Sequence, residues 1–426
     1  MTARRAATLC GAAILAWGSC AIWNSIKPLP PGTRVASLPA RLAESQVDFL
    51  DDETPAAALL KRETAIIGRA EEAVVVDQSP LPQALADALL LRKRQRPNLK
   101  VMLVTDPRDE AYGGTPVRAS SALERAGIVI VRPRLERLRD SDPLYSSLWR
   151  LSMGWWSNPF DEMPGGIITL RSALRRLNVK SDQRHLMVAD DGAGGWTSIV
   201  GSGLGVEIRG HLAGAIVTSE LQIAEWSTDE DRLPAAPRVD GRGVGTIDAR
   251  LLTEGAIEGA LRDAVGSVGS GDSIEIAVRE IGDRQIVDAL SHAAARGARV
   301  RLLLDTGSSA TRAAAGELRH AQPRNIEVRW RPGDSGAADG YTLIHHGGDV
   351  WVNVGATDLT RRGLDDLDLA SAVELRMPAR AAAARSATLM FAAHWSKAAA
   401  YAEHADESRE TYWRYRIAEA TGLPLS

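Results

Sequence analysis

Four short apolar runs, Ala73–Val76, Val101–Val104, Ile274–Val278 and Val300–Leu304, are β-branched or leucine-rich and read as buried strands. Between the first two, apolar residues recur at helical spacing around Leu85, Ala88 and Leu89; between the last two they recur around Ile286, Ala289 and Leu290. Each half of the chain therefore predicts strand, turn, helix, strand. A crossover of that length joins parallel strands, so the pattern is a βαβ unit occurring twice. A second matched pair follows, "HLMVADDGAGGWTSIVGS" and "TLIHHGGDVWVNVGAT", each reading as two strands joined by a glycine-rich turn. The repeat predicts an α/β protein of two α-β-α halves related by a pseudo-twofold, with a ligand cleft at their junction. The first half carries an insertion, about 140–180, with Trp149, Trp155, Trp156 and Phe160 but little strand pattern, expected on one face. Its tryptophans fit a packed core better than a membrane-dipping loop.

Ahead of the repeat, Arg4 and Arg5 precede the almost uncharged run Ala6–Trp23, which approaches the roughly 20 residues a helix needs to cross a bilayer. A cleaved secretory signal has a shorter apolar core, so a retained anchor over 1–25 fits better. The prolines of "KPLPPG" exclude helix and predict an extended stalk over 26–44. The first half then covers 45–240 and the second 241–426. Both cysteines, Cys10 and Cys20, lie in the anchor, so disulfides, cysteine zinc sites and thiol catalysis are excluded for the body. Cys20 after Gly18 and Ser19 resembles a lipid acceptor, but Trp17 is bulky where a small aliphatic residue is wanted. With 51 basic and 54 acidic residues there is no overall basic field, so a nucleic-acid partner is not expected. The remaining histidines (His211, His292, His320, His394, His404) show no metal-ligand spacing, and neither "GSGLG" nor "GVGTID" completes a dinucleotide loop, so no metal or cofactor is expected.

On the repeat, "DSDPLYSSLWR" (Asp140 to Arg150), "WTSIVGS" (Trp196 to Ser202) and "LTRRGLDDLDLASAVELR" (Leu359 to Arg376), the chain resembles the phospholipase D superfamily from about Ala57 to Ser396, in particular the bacterial cardiolipin-synthase-like members. That resemblance implies, once per half, a His-x-Lys motif followed by four residues and Asp, with an Asn in a later Gly-Ser-x-Asn turn. Alternate strand positions would bring histidine and lysine to one side. One histidine attacks phosphorus, the lysine holds the non-bridging oxygens, and the histidine of the other half protonates the leaving alkoxide.

This sequence departs from that pattern. In the first half Gln183 takes the histidine position, His185 the lysine, Asp190 the aspartate and Leu204 the asparagine, so only Asp190 matches. Making His185 the signature histidine would put Met187 for lysine and Gly192 for aspartate, a worse fit. In the second half the positions fall on Tyr341, Leu343, Gly348 and Asp358, and none matches. His345 and His346 lack a lysine in phase and read as a half-exposed strand-to-turn pair. A glutamine amide is a poor nucleophile, a tyrosine is mostly protonated at neutral pH, and Asp358 adds negative charge near an anionic substrate.

These departures predict a pseudoenzyme: a single-pass protein of the bacterial inner membrane, its body periplasmic, binding membrane phospholipid or a partner. The alternative keeps a phosphodiesterase or phosphatidyltransferase in which His185 is the nucleophile or base, oriented by Asp190 or Asp191, and Tyr341 the proton donor. It requires His185 within about 3 to 5 Å of Tyr341 in an open pocket. Arg92, Lys93, Arg94, Arg96 and Lys100 are a candidate lipid contact, though basic residues also suit a helix C-terminus. Arg361, Arg362, Asp365 and Asp366 are expected to form an internal ion-pair network.

Overall fold

Strand alternation fixes the architecture. The computed structural model describes residues 3–50, 56–107, 117–154, 180–201, 205–230, 232–237, 243–331, 340–356, 358–406 and 408–421. Trp155, Trp156, Phe160 and Leu204 of the sequence reading lie outside them. The described strands are β1 (Ala40–Leu42), β2 (Val47–Leu50), β3 (Ala73–Asp77), β4 (Lys100–Val104), β5 (Val129–Val131), β6 (Leu186–Asp190), β7 (Trp196–Val200) and β8 (Gly205–Arg209). They continue with β9 (Ile247–Thr253), β10 (Ser273–Val278), β11 (Arg299–Leu304), β12 (Ile326–Trp330), β13 (Gly340–His346), β14 (Asp349–Ala356), β15 (Ser371–Pro378) and β16 (Ala399–Ala400).

They form two sheets, one ordered β2-β8-β7-β6-β3-β4-β5 and the other β1-β9-β15-β14-β13-β10-β11-β12-β16. Without its two edge strands, the second has the connectivity of the first. The β3–β4 and β10–β11 pairs are parallel, spanned by the helices Gln83–Gln95 and Arg284–Ala295. The expected βαβ units are thus present in both halves, each followed by its antiparallel hairpin, β6–β7 and β13–β14.

The sheets share one core. Val75, Met102, Val104, Leu186 and Val188 of the first pack in the same buried cluster as Ala277, Leu303, Tyr341, Leu343, Val352 and Val354 of the second. Their strand neighbours Val74, Val76, Val101, Leu103, Met187 and Ala189 turn to the outer core, as do Ile274, Ile276, Val300, Leu302 and Ile344 in the other half. With side chains alternating between faces, each central strand is buried on both sides, which is why the runs look continuously apolar in sequence.

The segment after the N-terminal helix Ala3–Ile26 is bound to the body rather than spanning free space as a stalk. Pro31 carbonyl accepts from Trp226 Nε1 at 2.9 Å and Gly32 carbonyl from Ser219 Oγ at 3.1 Å. Val35 N donates to Thr253 Oγ1 at 2.7 Å, and β1 pairs antiparallel with β9. The backbone polar groups that prolines and an extended path leave unpaired are satisfied by a sheet edge and a helix, which a free stalk would give to water. Gly32 has φ of 82°, and a Cβ there would lie 2.7 Å from Ser219 carbonyl, so this close approach needs glycine.

Beneath this strap Arg184 is fully buried and joins the halves. It pairs with Glu220 at 2.7 Å and with Glu254 at 2.7 Å, and donates to Ser219 Oγ at 3.1 Å and Gly32 carbonyl at 2.8 Å. Asp77 and Asp182 complete the cluster. Burial pushes both carboxyls well above the usual carboxylate range; Asp182 and Glu220 add to this at Asp77, while Arg184 opposes it at both.

Two outcomes follow from this cluster. Arg184→Met strips the cation from buried carboxylates and is expected to lower stability by about 3–5 kcal/mol, read by denaturant unfolding. A carboxyl whose pKa is raised on folding binds its proton more tightly in the folded state, so its ionisation costs stability as pH climbs from the unfolded pKa through the folded one. Asp77→Asn removes that cost: its melting temperature is expected to exceed the parent's at about pH 8, the difference shrinking toward about pH 4.

Candidate junction site

The parallel strands of both halves end at the junction. Asp77 closes β3 and Asp106 follows β4; in the second half Arg279, Asp305 and Arg331 follow β10, β11 and β12. Residues 181–183 enter this region as an extended segment bridged to the second half, with Gln183 N donating to Leu369 carbonyl and Leu369 N to Ser181 carbonyl, both at 2.9 Å.

The strand read as opening with Gln183 begins at Leu186, and its alternation assigns the side chains differently from the sequence template. Leu186 and Val188 face the other half, whereas Met187 and Ala189 face the outer core. Arg184 is in phase with Leu186, and it is Arg184 that reaches the second half's Glu254. Gln183 Nε2 donates to Ser181 Oγ at 3.1 Å and to Asp368 Oδ2 at 3.2 Å, a side-on contact with the second half. His185 is half-buried, and its carbonyl accepts from Gly201 N at 2.8 Å.

Asp190 lies at the opposite end of the strand. Its carboxylate accepts from Glu71 N, Glu72 N and Ala73 N, each at 2.9 Å, and from Gly192 N at 3.0 Å. It organises the chain's entry into β3 and is not placed to orient a catalytic group at Asp77's end, about 13 Å away along the strand.

In the second half the register corrects the placement of Tyr341. Ala73 pairs with Lys100 and Ser273 with Arg299; on that common frame Asp77 lies opposite Leu186 and Ala277 opposite Tyr341. Tyr341 is thus the counterpart of Leu186, and Leu343 of Val188. Gly355, facing Gly340, matches Gly201, facing His185. Motif spacing counted along the chain misses this because the two hairpin turns differ in length, 191–195 between β6 and β7 but 347–348 between β13 and β14. The counterpart of Gln183 is residue 338, outside the described residues; that of Asp190 is His345. Tyr341 is 1% exposed, its hydroxyl donates to Ala387 carbonyl at 2.7 Å, and Phe49 packs edge-on at 6.5 Å between ring centroids. Burial pushes its phenol pKa well up. It is a core residue, not the wall of an open pocket.

Asp358 pairs with Arg279 and accepts from Glu280 N at 3.2 Å. His345 is half-buried near Thr388, and exposed His346 lies 2.9 Å from Asp272, as a strand-to-turn pair should. Of the expected arginine–aspartate network, Arg361 pairs with Asp365 at 3.2 Å, whereas Arg362 pairs with Asp368 at 2.9 Å and Asp366 with Arg34 at 3.2 Å and Arg139 at 3.0 Å. The basic cluster is largely spent on structure. Arg92 Nε donates to Ala70 carbonyl at 2.7 Å, Lys93 Nζ to Leu99 carbonyl at 2.6 Å, and Arg96 pairs with Glu71 at 2.5 Å. It sits where β3 and β4 begin, the end away from the strap.

The residues that sequence reasoning missed are Arg184, Glu220, Glu254 and Gly32. The available signal was parity: an arginine two residues before Leu186, in phase with Leu186 and Val188, points inward with them. Next to them, a groove of about 580 Å³ runs between the strap at Val35–Ala40 and the helix Leu212–Ser227, with His211, Thr218, Ser219 and Gln222 in its walls.

Comparison with known proteins agrees with this architecture. The family model "Cardiolipin synthase, PLD-like domain" matches residues 268–395. No curated protein sequence matches the chain. The crystal structure of phosphatidylserine synthase from Haemophilus influenzae Rd KW20 is similar in fold, with a TM-score of 0.58 and 9% identity over 90% of this chain and 94% of that one. Polyphosphate kinase from Porphyromonas gingivalis aligns with a TM-score of 0.48 and 12% identity, over 87% of this chain and 52% of that one. A phospholipase D family member, Nuc, from Salmonella typhimurium aligns over 36% of this chain and 98% of that one, with 18% identity and a TM-score of 0.30. Residues 268–395, in the second half, are thus similar to the cardiolipin synthase, phospholipase D-like domain family.

Proposed function

We propose that this is a membrane-anchored phospholipase D-like protein that holds phospholipid, or a partner presented at the membrane, without cleaving it. The observation that carries the reading is Arg184. The junction is where a phosphodiester would have to bind, and there its guanidinium is committed to Glu220, Glu254 and Gly32 carbonyl. Glu220 and Glu254 set two carboxylates against one cation, an electrostatic environment that repels a phosphate. Losing one member of a nucleophile and acid pair commonly costs several orders of magnitude in rate.

Membrane attachment rests on the helix Ala3–Ile26, whose stretch Thr8–Ile26 is long and apolar enough to cross a bilayer. Arg4 and Arg5 before it favour a cytoplasmic N-terminus and a periplasmic body, with Lys27 and Arg34 on the far side weighing the other way. Phospholipid as the ligand class follows from the family match and from that attachment.

The competing reading, in which His185 acts with Tyr341 as acid, asks for a phenol in an open cavity; Tyr341 is instead bonded to Ala387 in the core. Purified full-length chain in phosphatidylglycerol vesicles, and separately with a chromogenic phosphodiester, is expected to release no headgroup or chromophore above the protein-free rate, and His185→Ala is expected to behave identically. Turnover that disappears in His185→Ala overturns the proposal.

A further inference from the structure

We infer that the helix Pro143–Trp149, with its continuation Arg150–Gly154, lies in the bilayer beside the N-terminal helix and presents its outer face to lipid acyl chains, giving the body a second membrane contact. This rests on the reading that the N-terminal helix spans the membrane.

Depth is the first argument. At 1.5 Å per residue, a hydrocarbon layer of about 30 Å takes up nearly the whole of Thr8–Ile26. Trp17 then lies about 14 Å inside from Ile26, near mid-bilayer. Trp17 Nε1 donates to Leu144 carbonyl at 2.8 Å, so the first turn of the second helix is at that depth too.

Chemistry is the second argument. A helix on the surface of a water-soluble body turns its apolar face inward. This one is reversed: Leu144, Leu148 and Leu151 are 55%, 56% and 49% exposed, one per turn along a single face, while Ser146 and Ser147 are buried. Ser146 Oγ donates to Asp140 at 2.5 Å, and Asp140 also takes Arg150 and, at 2.8 Å, Lys180, so the charges are gathered on the protein side. Asp142 Oδ1 caps the helix by accepting from Tyr145 N at 3.0 Å, and Ser152 Oγ is satisfied by Leu148 carbonyl at 2.7 Å. Asp140, Asp142, Ser146 and Ser152 satisfied internally with leucines outward is what hydrocarbon requires.

Contact is the third. The N-terminal helix meets the body through Trp17 and through the small or polar residues Ala21 and Asn24, while Leu9, Ile14, Leu15, Ile22 and Trp23 stay exposed. Small residues let two helices approach closely where lipid supplies no hydrophobic drive between them. Leu144, Leu148 and Leu151 therefore extend an apolar surface that the anchor already presents.

The test uses full-length protein in a Cys10→Ala, Cys20→Ala background, with one cysteine restored by Leu148→Cys, Ile22→Cys or Lys100→Cys and labelled with bimane. Each is reconstituted into phosphatidylcholine–phosphatidylglycerol vesicles with and without brominated acyl chains. Emission is expected to be lost to brominated lipid at positions 148 and 22 and kept at 100, which lies at the strand ends away from the strap. Quenching at 22 but not at 148 overturns the inference and leaves the spanning helix standing. Quenching at neither overturns both, and quenching at 148 alone keeps the lipid contact while removing the span.

Discussion

The buried guanidinium of Arg184 is the constraint on which the junction depends. Two carboxylates, one from the helix Leu212–Ser227 of the first half and one at the end of β9 in the second, converge on it with a hydroxyl and the carbonyl of Gly32. Removing charges from water is costly, and the arrangement is tolerable only because all three guanidinium nitrogens are bonded. The same geometry ties four parts of the chain: the strap, the segment entering β6, the helix Leu212–Ser227 and the turn after β9. Glu254 adopts φ of 43°, uncommon for a side chain with Cβ, and its carboxylate also accepts from Arg34 N at 2.7 Å and Ala370 N at 3.1 Å. Those bonds hold it where Arg184 needs it.

On the proposed reading, a junction built this way binds without carrying out phosphoryl transfer. Transfer requires an open volume with donors left to meet developing negative charge. Here the Arg184 donors are satisfied by Glu220, Glu254, Ser219 and Gly32. The scaffold around it is retained: strand order, parallel crossovers, hairpins and the ion pairs near Asp366 and Asp368. The N-terminal helix packs at the same end, since it touches Asp140 through the carbonyl of Asn24 at 3.1 Å and Lys27 reaches Glu136 carbonyl at 2.7 Å.

The fold was legible because period and length sufficed. Runs such as Ala73–Val76 and Val300–Leu304 bounded helices of unmistakable spacing, and doubly buried strands have little choice of pairing. The site was only partly legible. Asp190 could be aligned by motif, yet its task as acceptor for Glu71, Glu72 and Ala73 amides is set by a long-range turn that spacing does not encode. Tyr341 was misplaced by three positions because motif counting ignores hairpin length, whereas cross-strand partners do not. The strap could not be read at all: "KPLPPG" excludes a helix, but its binding surface is assembled from Ser219, Trp226 and Thr253, distant in sequence.

The central claim is that the strap is locked over the junction through Arg184 and Glu254, and amide hydrogen exchange of residues 32–37 in the intact protein tests it most directly. The account expects the Arg34, Val35 and Ser37 amides, which donate to Glu254, Thr253 and Leu251, to exchange slowly, and to lose that protection in Glu254→Gln. Exchange of these amides at the rate of an unstructured peptide in the parent protein would contradict it.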